Sequence, residues 1–208
     1  MAGSPASEDD RGAVLLSLDG LPDRPAPDLD PLLDAATRCF ARHGVSRTRV
    51  PDIAAEMGVS RVTVYRQAGG VDQIAGLLIA RDLQRLLEGI PPLDGAVAGP
   101  SLVVSVLAGL IEEARGHPVL QKVLRDEPSV IGPLLATELP EIIERASSVL
   151  APLIDVLVAQ GVVASRDTRR VAAWLVRIGI TLLVAPVDDV EAFLGEVLVP
   201  VLEPPGSR

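Results

Sequence analysis

The 208-residue chain is 48% apolar, 23% charged and only 2% aromatic, and carries a net charge of −9. That length supports one or two domains with a substantial core, and the apolar runs at 102–111 and 171–185 are too short or carry Arg177, which argues against a membrane span of about 20 apolar residues. An acidic start where a secretory leader is basic, and a lone cysteine, Cys39, point to a reducing cytoplasm without an internal disulfide.

Helical periodicity dominates and no alternating strand pattern occurs, so the predicted fold class is all-α. Residues 1–27, rich in Pro, Asp, Ser and Gly, read as a disordered arm. A first helix over 30–43 places Leu32, Leu33, Ala36, Cys39 and Phe40 on one side, and Gly44 ends it as a left-handed cap. Short helices are predicted over 49–57 and 61–67, and a longer one over 71–89, stopped by Pro91 and Pro92. The stretch PPLDGAVAGP (91–100) reads as a seam between two regions. Beyond it, helices are expected over 101–116, 118–125, 128–136, 139–160, 167–184 and 188–202. Within 139–160, Pro152 removes a backbone donor and crowds the Ser148 carbonyl, which predicts a kink. The expected domains are the arm 1–27, a helix-turn-helix domain 28–74 and a helical domain 75–208.

Charge is unevenly distributed along this plan. Between Thr37 and Arg66, Arg38, Arg42, Arg47, Arg49, Arg61 and Arg66 face only Asp52 and Glu56, giving +4 and leaving −13 on the remainder. A basic island on an acidic body can still hold phosphate, because the relevant field is local on the scale of a Debye length of about 8 Å. Inside the island lies TRVPDIAAEMGVSRVTVYRQA (48–68). Thr48 is positioned to cap the first short helix, and Pro51 fits its first turn. Ile53 and Met57 face inward, and Ala54 is small where a second helix crosses. Gly58 permits the positive φ of a sharp turn, Val59 plugs the corner, and Ser60 caps the next helix. This is helix-turn-helix spacing, in which the second helix enters the major groove of double-stranded DNA.

That second helix needs only Val62 or Val64 against the core, leaving Arg61, Thr63, Tyr65 and Arg66 outward. Arginine can pair bidentately with guanine, threonine meets a thymine methyl or a phosphate, and tyrosine donates its hydroxyl to phosphate. The N-terminal amides of both short helices are further anion donors, so Arg49 and Ser60, at their starts, join the candidate DNA-binding set.

The segment from about Leu32 to Ile74 resembles the DNA-binding domain of the TetR (tetracycline repressor) family of bacterial transcriptional regulators. The residues that carry the likeness are LLDAATRCFARHG, T-x-V-x-DIA (48–54) and GVSRVTVYR (58–66). The resemblance implies that Thr48 and Tyr65 contact phosphate, that Arg61 and Thr63 face bases or the adjoining backbone, and that Arg66 lies near phosphate. Family members commonly follow the tyrosine with a His-Phe pair and then a lysine, where this chain has Gln67, Ala68, Gly69, Gly70 and Val71, and Val62 stands where a glycine is frequent. A looser recognition helix or weaker DNA affinity is the physical expectation.

The resemblance further implies a homodimer built on the last two helices, presenting Val171, Trp174, Leu175, Ile178 and Leu182, then Phe193, Leu194, Val197, Leu198 and Val201. It also implies a ligand cavity, for which Val106, Leu110, Val123, Leu124, Ile131, Leu135, Leu150 and Ile154 are candidate lining, suited to a hydrophobic or amphipathic effector. Repression relieved by that effector is the expected mode. His117 is either a polar contact for the ligand or a helix-junction residue, and Trp174 belongs to either the pocket or the dimer. No metal, cofactor or membrane partner is expected. Enzyme chemistry is disfavoured, since His43 and His117 are the only histidines, no metal-ligand spacing or phosphate-binding glycine loop occurs, and Cys39 faces inward. A helical small-molecule carrier that has lost DNA binding remains the alternative.

Overall fold

The computed structural model describes residues 24–89 and 99–203. The predicted arm up to residue 23 and most of the seam, 91–98, lie outside the described residues. After a 3-10 turn, Pro27–Leu29, ten α-helices form among those described: α1 (Asp30–His43), α2 (Val50–Met57), α3 (Arg61–Ala68), α4 (Val71–Glu88), α5 (Ser101–Gly116), α6 (Pro118–Asp126), α7 (Pro128–Pro133), α8 (Leu139–Ala159), α9 (Thr168–Val184) and α10 (Val190–Leu202). A π-helical turn, Leu134–Glu138, takes up the end of the helix predicted over 128–136. No described residue forms a strand, and the fold is all-α.

The described residues divide into two compact bodies, one holding 24–87 together with His117–Pro140, the other 88–89 and 99–116 together with 141–203. The first therefore includes α6 and α7, which sequence alone assigned to the second domain. Its core is the apolar face of α1, where Leu32, Leu33, Ala35, Ala36, Cys39 and Phe40 are all buried, packed with Val50, Ile53 and Ala54 of α2 and with Val119 and Val123 of α6. Burial pushes the Cys39 thiol above its ordinary pKa, so it behaves as an inert apolar side chain.

Gly44 ends α1 with φ 87° and ψ 161°, an extended positive-φ conformation rather than the left-handed helical cap expected. The cause is a neighbour distant in sequence. The Glu127 carboxylate lies 2.7 Å from where a Cβ at Gly44 would stand, and accepts from the Val45 amide at 2.8 Å, the Ser46 amide at 2.9 Å and the Ser46 hydroxyl at 2.5 Å. The positive φ and the close approach together require glycine.

In the second body α5 packs against α9 and α10. Val104, Ala108 and Ile111 of α5 meet Ile154 and Leu157 of α8, Ala172, Leu175 and Leu182 of α9, and Leu194, Leu198 and Leu202 of α10. Asp167 and Asp189 cap α9 and α10 by accepting from the Arg170 and Ala192 amides. The Arg115 guanidinium closes the other end of α9 by donating to the carbonyls of Leu182 (3.0 Å) and Val187 (3.4 Å). In α8, Pro152 lies on the exposed side and the helix continues past it.

Candidate nucleic-acid interface

The reading head is assembled from α2, a tight turn and α3. Arg49 is the N-cap of α2, its amide donating to the Asp52 carboxylate at 2.8 Å, and Pro51 lies in the first turn as expected. Thr48 is therefore not the cap. It is 4% exposed, and its hydroxyl donates to the Gly44 carbonyl at 2.7 Å. Burial inside the corner between α1 and α2 removes the hydroxyl from the surface, so Thr48 positions α2 and does not present its side chain to a ligand.

Gly58 adopts φ 71° in the left-handed region and turns the chain. The corner is closed by main-chain hydrogen bonds, Gly58 N–H to Ala55 O at 3.1 Å and Val59 N–H to Ala54 O at 3.0 Å. Val59, expected to plug it, is exposed instead. Ser60 caps α3, accepting from the Thr63 amide at 3.2 Å, and the two hydroxyls of Ser60 and Thr63 lie 2.9 Å apart. Of the two valines offered for the core, Val64 is fully buried, whereas Val62 is 66% exposed.

The departures after Tyr65 have a local logic. Ala68 is buried and, with Val64, anchors α3, so a small side chain stands where the family places an aromatic. Gly69 ends the helix at φ 76°, and the Gly70 amide donates to Gln73 Oε1 at 2.8 Å, which caps the start of α4. A Cβ at Gly70 would come within 2.9 Å of that oxygen. The glycine pair thus gives a tight, self-capped entry into α4.

The basic island is only partly free. Arg38 and Arg42 turn back onto α2, meeting the Glu56 carboxylate at 2.6 and 3.5 Å, and the hydrogen bond from Arg38 holds that carboxyl below its ordinary pKa. Among the described residues, Arg49, Arg61 and Arg66 have no carboxylate within ion-pairing distance. With Tyr65, 55% exposed, Arg61 and Arg66 leave two sides of α3 open and cationic, and Arg49 adds an exposed guanidinium at the start of α2, where Asp52 caps the helix.

The other predicted residues separate. Leu175, Leu182, Leu194 and Leu198, expected at a dimer interface, are buried in the core of the second body and are unavailable to a partner. Phe193, Val197 and Val201 are exposed along α10, and Val171, Trp174 and Ile178 on α9 are half-buried. Of the candidate ligand lining, Val123, Leu124, Ile131 and Leu135 belong to the first body and Val106, Leu110, Leu150 and Ile154 to the second. Val123 and Ile154 are buried in their separate cores. The second body also carries an open recess of about 400 Å³ lined by Ser105, Glu112, Asp188, Asp189, Val190 and Glu191 among others, which shares no residue with that set. His117 is the junction residue, accepting from the Leu120 amide through Nδ1 at 3.4 Å and meeting Asp82 through Nε2 at 2.9 Å.

A three-helix head with a glycine turn, a hydroxyl-capped third helix and exposed arginines along it defines a helix-turn-helix protein. Residues 32–75 match the model of the bacterial regulatory proteins of the tetR family. An uncharacterized HTH-type transcriptional regulator of Mycobacterium bovis is 30% identical over 149 residues, covering 71% of this chain and 75% of that protein. Another, from Mycobacterium tuberculosis, is 27% identical over 183 residues, covering 84% and 85%. The crystal structure of a TetR-family transcriptional regulator from Pectobacterium atrosepticum superposes with a TM-score of 0.62 at 23% identity, over 82% of this chain and 92% of that one. The chain belongs to the TetR family of bacterial transcriptional regulators.

Proposed function

We propose that the protein is a cytoplasmic repressor that binds operator DNA as a homodimer and is released by a hydrophobic or amphipathic small molecule. The observation that carries the DNA part is α3: buried only through Val64 and Ala68, capped by Ser60, and exposing Arg61, Tyr65 and Arg66 without acidic partners among the described residues. Arg49, exposed at the start of α2, adds a guanidinium suited to a backbone phosphate. Selection of bound sequences from random duplexes, followed by affinity measurements on the winner, tests this. With about four phosphate contacts per dimer, affinity is expected to fall about 100-fold between roughly 50 and 200 mM salt. Absence of retention at the lowest salt leaves a helical ligand carrier instead.

Dimerisation is supported by the stripe Phe193, Val197 and Val201, spaced one turn apart and exposed on α10, next to the adjoining face through which Leu194 and Leu198 fill the core. Phe193→Asp is expected to give a folded monomer at micromolar concentration by light scattering, with operator affinity reduced because two half-sites are no longer held together. A Phe193→Asp protein that stays dimeric removes this face from the interface. The effector reading rests on apolar side chains of the second body left half-buried, among them Val106, Leu110 and Leu150. A ligand that lowers operator affinity must bind less tightly to the DNA-bound protein by the same factor. Titrating the operator complex with apolar compounds measures that factor directly.

A further inference from the structure

The family resemblance implies that Arg61 and Thr63 face bases or the adjoining backbone and that Arg66 lies near phosphate. The burial pattern of α3 orders these residues differently. Val64 and Ala68, one turn apart, are the buried positions of the helix. At about 100° of rotation per residue, the side opposite that pair is occupied by Val62 and Arg66, themselves one turn apart and within about 40° of each other. Arg61 and Tyr65 lie beside the buried edge, on the flank. Thr63 is half-buried, and its hydroxyl is 2.9 Å from that of Ser60, which holds it in the helix cap. Val62 is 66% exposed, more than Tyr65 at 55% and more than any other large apolar side chain among the described residues. A branched apolar side chain thus stands largely exposed at the centre of the open face. It lies one turn from an arginine that has no carboxylate within ion-pairing distance among the described residues.

Resting on the operator-binding reading above, we propose that Val62 and Arg66 form the base-reading pair. Val62 packs against the C5 methyl of a thymine, Arg66 donates to the O6 and N7 of a neighbouring guanine, and Arg61 and Tyr65 grip the flanking backbone. The chemistry is specific. In the major groove thymine alone among the standard bases offers a methyl, and guanine alone offers two adjacent acceptors that match a guanidinium fork. A valine in place of the frequent glycine adds apolar bulk that only a methyl-bearing base rewards.

The test begins with the sequence the wild-type protein selects from random duplexes. Each selected thymine is then replaced by deoxyuridine, which removes the methyl and nothing else. At one position per half-site, wild-type affinity is expected to drop about fourfold, the worth of one buried methyl. In Val62→Ser, thymine and deoxyuridine are expected to bind alike there. Arg66→Ala is expected to relax the preference for guanine at an adjacent position, while Arg61→Ala weakens all sequences evenly. Deoxyuridine tolerated at every position, undiminished discrimination in Val62→Ser, or base preference lost in Arg61→Ala and kept in Arg66→Ala overturns the assignment while leaving operator binding intact. If the wild-type protein retains no duplex at all, the operator reading fails and takes this assignment with it.

Discussion

Replacing Glu127 with alanine is expected to destabilise the protein by about 3 kcal/mol, lowering Tm by roughly 6–12 °C. The carboxylate is 6% exposed and accepts three hydrogen bonds, from the amides of Val45 and Ser46 and from the Ser46 hydroxyl. Val45 is itself buried, so its amide has no ready access to water once the acceptor is gone. Glu127→Gln keeps the volume but turns an NH2 toward donors, and is expected to cost about 2 kcal/mol for that reason. Gly44 sharpens the test. A methyl there meets both the positive φ of 87° and the carboxylate at 2.7 Å. Gly44→Ala is therefore expected to be costly alone and less costly in a Glu127→Ala background, where only the backbone strain remains. A strictly additive double mutant, or faster hydrogen exchange spread over the whole body in place of Val45 and Ser46, counts against this role for Glu127. The functional stake is the position of α2, since the turn that Glu127 holds leads directly into Thr48 and the Arg49 cap.

Glu127 also shows where sequence reading stops. The helices were legible because local signals agree: the apolar spacing of α1, Gly58 at the turn, Ser60 at the cap, and the aspartates before α9 and α10. Nothing local marks a glutamate that bonds a turn 81 and 82 residues away, because a buried carboxylate and a solvated one have the same letter and similar neighbours. The same blindness misassigned Thr48, a good cap former by type that is used here to brace the corner. On α9 and α10 the apolar stripes were visible, but they run around more of the helix than one interface needs. Periodicity could not separate Leu194 and Leu198, which fill the core, from Phe193 and Val197, which remain exposed. The choice between Val62 and Val64 likewise depended on which side of α3 meets α1 and α2, a tertiary fact.

Arg81 was invisible for the same reason, and its loss carries the second large effect. The residue is 3% exposed in α4, with its guanidinium 2.7 Å from Asp34, 2.9 Å from Asp82, 3.4 Å from the Thr37 hydroxyl and 3.6 Å from Asp30. One side chain thus pins α4 to α1 and gathers three carboxylates that repel one another without it. Arg81→Met keeps the apolar stem and deletes the charge. It is expected to cost about 3 kcal/mol, at the low end for a broken buried pair, because Asp34 and Asp30 are open enough to be hydrated. Arg81→Lys should recover only part of this, since an ammonium cannot fork between Asp34 and Asp82. The pH dependence has a definite sign. Burial pushes the Asp82 carboxyl up, but the hydrogen bonds from His117 and Arg81, with the charge of Arg81, outweigh it and hold the group below its ordinary pKa. A carboxyl depressed in the folded state stabilises above its unfolded value, about 3.9, and loses that contribution as pH falls through the folded one. Wild type is therefore expected to lose stability below about pH 4 more steeply than Arg81→Met, so that the gap between them, read by thermal denaturation, narrows as the solution is acidified. A gap that stays constant from neutral pH down to about pH 3 would mean that the arginine stabilises by packing its stem, and that the charges around it contribute little.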